Sequence, residues 1–104
     1  MTVQMVDKIC KEQTLIIFQR LGCKEIKRIT GSPFYSSKSR NQKITIYCNV
    51  VEGNTIWEPT PDEKILERLI QDSKLHYKII RLEINLNTDG SVLNSKEIIT
   101  HDIA

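Results

Sequence analysis

Apolar residues recur with a helical period near the start of the chain and with a two-residue period in several later stretches. Over 3–21, Val3, Met5, Val6, Ile9, Cys10, Ile16, Ile17 and Leu21 fall within roughly 160° of arc at about 100° per residue. That broad stripe predicts a helix lying on a core, closed by Gly22 as a left-handed C-terminal cap. Leu15 and Phe18 lie off the stripe, toward the side of Lys8 and Lys11. They mark either an interface or a face covered by another part of the chain.

Residues 24–30 carry a weak strand pattern. Residues 43–51 carry a strong one, in which Ile44, Ile46, Cys48 and Val50 alternate with Thr45, Tyr47 and Asn49. Glu52-Gly53-Asn54 ends it. A hairpin is expected at 80–103, where Ile80, Leu82, Ile84 and Leu86 alternate with polar residues and Asp89-Gly90 supplies a two-residue turn. Strict pairing from that turn sets Leu82 opposite Glu97, a poor match on a buried face. A bulge near Asn94-Ser95 would set Leu82 against Ile98 and is therefore expected.

Between these strands, Thr60-Pro61-Asp62-Glu63 reads as a capping box with proline at the first helical position. Ile65, Leu66, Leu69 and Ile70 follow as the apolar stripe of a second helix. The order helix–strand–strand–helix–strand–strand predicts one α+β domain over residues 1–104. Its expected form is a four-stranded, largely antiparallel sheet with both helices packed on one face. A chain of 104 residues suits one core of this kind.

Charge adds a second layer. Residues 1–50 hold nine Lys/Arg against three Asp/Glu, and residues 51–104 hold six against ten, so the overall +2 conceals a basic and an acidic half. The basic half culminates at 31–42, a stretch of serines, cations and aromatics without a packing pattern that reads as a long loop. Lys24, Lys27, Arg28, Lys38, Arg40 and Lys43 could neutralise phosphates or acidic side chains, and Phe34 and Tyr35 could stack on unpaired bases. These eight residues are the candidate binding set. Leu15, Phe18 and Trp57, the sole tryptophan, are candidate interface positions.

Other chemistries find little support. Three scattered cysteines and two histidines offer no metal-ligand spacing, so no metal or cofactor is expected. His101 and Asp102 are strand neighbours that project to opposite faces and cannot form a dyad. The stripes predict burial for Cys10 and Cys48, which leaves Cys23 as the one thiol expected to be exposed. No apolar run reaches the roughly 18 residues of a membrane span. Charged residues interrupt the N-terminal stretch, and the cysteines read as free thiols, so a cytoplasmic location is expected.

The pattern as a whole predicts a small non-enzymatic accessory or inhibitory protein. It would engage a protein or ribonucleoprotein partner through the basic aromatic loop and act by occlusion. Direct nucleic-acid binding through the same loop is the alternative. An enzyme with an unrecognised site, using Tyr35, His76 or His101, comes third. A symmetric dimer through the first helix or a sheet edge is a further expectation.

Overall fold

The computed structural model describes residues 2–28, 34–39, 42–57, 64, 68 and 76–103. Helix α1 spans Val3–Arg20. The strands are β1 (Lys27–Arg28), β2 (Tyr35–Ser39), β3 (Gln42–Glu52), β4 (Thr55–Trp57), β5 (His76–Leu86) and β6 (Val92–Ile103).

Both ends of α1 are closed by local hydrogen bonds. The Thr2 hydroxyl accepts from the Met5 amide at 3.2 Å. At the C-terminus, the Cys23 amide donates to the Phe18 carbonyl and the Gly22 amide to that of Gln19. Gly22 adopts φ +75°, so the expected glycine cap is a Schellman motif. Phe18 and Cys23, which this motif brings together, are both buried.

The buried face of α1 is rotated from the expected stripe. Val6, Cys10, Thr14, Ile17 and Phe18 are buried, while Val3, Met5, Ile16 and Leu21 are exposed. Thr14 sits within this face because its hydroxyl has a partner there, the Cys48 thiol at 3.5 Å. Phe18, a candidate interface residue, is fully buried core, and Leu15 is half-buried beside it. The packed face departs from the apolar stripe because a polar residue, Thr14, occupies its middle.

One sheet holds all six strands in the order β1-β2-β3-β5-β6, with β4 also paired to β3. Strand β3 is the organiser. Strand β2 lies antiparallel along one end of an edge of β3, and β4 lies along the other end, from Val50 to Glu52. Strand β5 runs parallel to β3 along its entire second edge, from Gln42↔His76 to Glu52↔Leu86. Strand β6 closes the sheet antiparallel to β5.

This overturns the expected four-stranded, largely antiparallel sheet with two helices. The sheet is mixed and six-stranded, and α1 is the one helix whose bounds fall among the described residues. The expected second helix at 60–70 lies outside the described residues, apart from exposed Lys64 and Arg68. The presumed break at Glu52-Gly53-Asn54 is a hairpin turn into β4, with Glu52 opposite Thr55 and Gly53 at φ +55°.

The expected loop at 31–42 is also corrected, since 35–39 is strand β2. Tyr35 and Ser37 point to the helix side, opposite Ile46 and Ile44, and both are buried. Its serines stand in place of the branched apolar residues that usually announce a strand.

Two buried layers result. On the helix side, Val6, Cys10, Ile17 and Phe18 pack on Ile44, Ile46, Cys48, Val50, Ile80, Leu82, Ile84 and Leu86. On the other side, Thr45, Tyr47, Tyr77 and Ile79 are buried and Phe34 meets Tyr47 edge-on at 5.5 Å between ring centroids. Strand β3 is thus covered on both faces, as a central parallel strand usually is.

The closing hairpin has a longer loop than expected. The Asn87 amide donates to the Ser91 carbonyl, and the Gly90 amide to the Asn87 carbonyl. Gly90 takes φ +88°, which fits a three-residue loop with glycine in the left-handed position. Register shifts fall at Leu93 and Thr100, flanking the expected site, so Leu82 does face Glu97. The open edge of β6 carries exposed Leu93, Ile99 and Ile103, guarded by Lys96 and these two irregularities.

Candidate anion-binding cleft

The Schellman turn sends the chain from Gly22 along the outer side of β2, where β1 pairs with only Ser36 and Tyr35. Beyond that short pairing, a cavity of about 740 Å³ opens between the end of α1 and the β2–β3 hairpin. Four lysines line it: Lys24, Lys27, Lys38 and Lys43. Ser36, Ser37 and Ser39 also line it, and Glu25 is the one carboxylate among the described residues of the lining.

The strand register explains the convergence. Lys38 lies directly opposite Lys43, and Lys27 directly opposite Ser36, so three lysines project from one face of neighbouring strands. Like charges placed directly across a strand pair are destabilising. Lys43 is partly compensated by the Tyr77 ring, 5.8 Å from its Nζ to the ring centroid. The carbonyl end of α1 favours a nearby cation. That accounts for one lysine beside Leu21 and Gly22, not for four.

Ser37 is the second unusual feature. It is only 4% exposed, and its Oγ has no hydrogen-bond partner among the described residues. Leaving a buried hydroxyl unpaired costs about 1–3 kcal/mol. The Ser39 hydroxyl is engaged, at 3.5 Å from the Leu21 carbonyl oxygen.

The candidate binding set therefore divides. Lys24, Lys27, Lys38 and Lys43 come together in the cleft. Arg28 lies on the helix side, 5.8 Å over the Tyr35 ring, and Arg40 lies outside the described residues. Phe34 is fully buried and Tyr35 is 9% exposed, so neither ring is free to stack on a base. Burial pushes the Tyr35 hydroxyl above its ordinary pKa, as it does for Tyr77. Trp57 is half-buried against the core through β4, and its Nε1 has no hydrogen-bond partner among the described residues.

Among the polar groups elsewhere, His101 and Asp102 engage different partners, in line with their expected projection to opposite faces. Asp102 contacts His76 across the β5–β6 pair, at an exposed position, while His101 Nδ1 lies 3.0 Å from the Thr100 hydroxyl. Cys23 is buried, contrary to the expected exposure, because it closes the helix cap against Phe18. The Cys48 thiol donates to the Cys10 carbonyl oxygen at 3.8 Å in the core. The nearness of Cys48, reinforced by burial, holds the Cys10 thiol far above the usual range. Among the described residues no three His, Cys, Asp or Glu side chains gather as a metal site, and no helix is long and apolar enough to cross a membrane.

No family model matches this sequence, and no curated protein or solved structure matches it either.

Proposed function

We propose that this protein is a small accessory or inhibitory binding protein that engages an acidic protein partner at the lysine-lined cleft and acts by occlusion. The observation that carries this reading is the convergence of Lys24, Lys27, Lys38 and Lys43 on one concavity, against one carboxylate, Glu25, among the described residues. The Lys38↔Lys43 pairing supports it, because the fold tolerates a repulsive pair that an anionic ligand would relieve.

Binding is favoured over chemistry at this site. A serine nucleophile needs a base within hydrogen-bond reach, and Ser37 Oγ has no such partner among the described residues. A protein partner is favoured over nucleic acid because Phe34 and Tyr35, the rings that would stack on bases, are buried.

The test is fluorescence anisotropy with a labelled polyglutamate peptide and a labelled single-stranded oligonucleotide, at about 50 and about 200 mM salt. The peptide is expected to bind at low salt, weaken at high salt and lose binding in Lys38→Glu/Lys43→Glu. Tighter binding of the oligonucleotide, lost in the same variant, would move the reading to nucleic acid. Peptide binding unchanged by the variant would remove the cleft as the contact surface.

A further inference from the structure

We propose that Cys10 and Cys48 are an oxidisable pair, which a low-molecular-weight disulfide converts to one internal disulfide joining α1 to β3. The inference is independent of the cleft and rests on where the fold puts the two sulfurs. Cys48 belongs to the core face that α1 covers, and its Sγ donates to the carbonyl oxygen of Cys10 at 3.8 Å. The two residues are 38 apart in sequence, so the packing of helix on sheet creates this closeness.

The surroundings suit exchange between them. Thr14, about one helical turn beyond Cys10, sets its hydroxyl oxygen 3.5 Å from Cys48 Sγ, where it can donate to a thiolate. Each residue shifts the ionisation of the other, Cys10 upward and Cys48 downward, so Cys48 is the member of the pair that ionises first. Buried cysteine often serves as small apolar filling. Here two of the three cysteines meet at one helix–strand contact, which filling does not require. Cys23 is placed elsewhere, roughly 20 Å along the helix from Cys10 at its rise per residue, where it closes the cap against Phe18.

The chemistry is thiol–disulfide exchange. The Cys48 thiolate attacks one sulfur of the small disulfide, forming a mixed disulfide and releasing one small thiolate. Cys10 gives up its proton and attacks the Cys48 sulfur, which displaces the second small thiolate. Two cysteine thiols are oxidised by two electrons, one disulfide bond is reduced to two thiols, and the two protons pass to them. Burial of Cys48 confines the first attack to local openings of the α1–β3 contact, and closure then brings Cys10 onto the mixed disulfide.

The experiment is equilibration of the full chain in glutathione redox buffers near neutral pH, then acid quenching, alkylation and a tryptic map without reductant. Cleavage after lysine and arginine puts each cysteine on its own peptide, residues 9–11, 21–24 and 44–64. The expected product is peptide 9–11 bonded to 44–64, with 21–24 alkylated, and excess dithiol reverses it. The same buffers in urea give the reference. The equilibrium constant for the Cys10–Cys48 bond should be larger in the native protein by about tenfold or more, because folding already holds the two sulfurs together. Cys23→Ser is expected to keep the bond and Cys10→Ala to abolish it. The wild-type map decides the question even where a variant fails to fold.

Three free thiols in the native protein, in buffers that oxidise the pair in urea, would overturn the proposal. So would a native constant no larger than the one in urea, or a bond that includes peptide 21–24.

Discussion

Arg20 and Glu97 are 77 residues apart in sequence, yet Arg20 Nη2 contacts both carboxylate oxygens of Glu97, at 2.5 and 2.7 Å. The contact joins the last turn of α1 to the outermost strand β6. It also explains a residue that looks misplaced. Glu97 lies opposite Leu82 on the helix side of the sheet, and the guanidinium of Arg20 satisfies it there.

The pair is partly exposed, so its expected coupling is modest. A double-mutant cycle with Arg20→Ala and Glu97→Ala in urea unfolding should give about 0.5–1 kcal/mol at low salt. The coupling should shrink in about 1 M salt. A cycle that closes to zero at low salt would show that the contact does not tie α1 to the sheet edge.

On the opposite face, the hydroxyls of Thr45 and Tyr77 lie 2.7 Å apart and both residues are fully buried. Removing one partner strands the other. Thr45→Val or Tyr77→Phe alone should each destabilise the fold by about 1–3 kcal/mol, and the double variant by clearly less than their sum. Chemical denaturation of the four proteins checks this, and strict additivity would refute it.

Tyr35 and Tyr77 are acids whose native pKa values are both raised, chiefly by burial. In the unfolded chain tyrosine ionises near about 10. Their contribution is therefore fully present below that pH and is lost as pH rises above it, because the unfolded state releases protons that the native state retains. Stability should fall as pH rises through about 10 and beyond. Tyr77→Phe should flatten part of that slope. An unchanged unfolding free energy across this range would contradict the assignment.

All three thiols are buried, including Cys23. The native protein should react with an aromatic disulfide reagent only as fast as it opens, and all three thiols should react at once in denaturant. Rapid modification of Cys23 in the native state would show that the cap at Gly22 is loose.

Local signals were the most legible part of the sequence. The helix at the N-terminus, its glycine cap, and the strands at 43–51 and 80–103 follow from periodicity and turn residues. Partners across the sheet were not legible, because alternation identifies a strand without naming its neighbour. The parallel pairing of β3 with β5 runs against the largely antiparallel sheet that the order of elements suggested.

Two errors came from polar residues in packed positions. Thr14 in the helix face and the serines of β2 read as solvent-facing, yet Thr14 and Ser37 are buried. The lysines of the cleft were visible as a basic segment. Their convergence depends on the Lys38↔Lys43 and Lys27↔Ser36 registers, which composition does not encode. Phe34 and Tyr35 were misjudged for the converse reason: aromatic residues in a polar segment resemble ligand contacts until a sheet is seen to bury them.

The most direct measurement is a map of backbone amide shifts in the labelled protein as a polyglutamate peptide is titrated in. The shifts are expected to concentrate at 22–27, 36–39 and Lys43, and to vanish in Lys38→Glu/Lys43→Glu. Shifts centred on the open edge of β6, or unchanged by that variant, would show that the lysine cleft is not where this protein meets its partner.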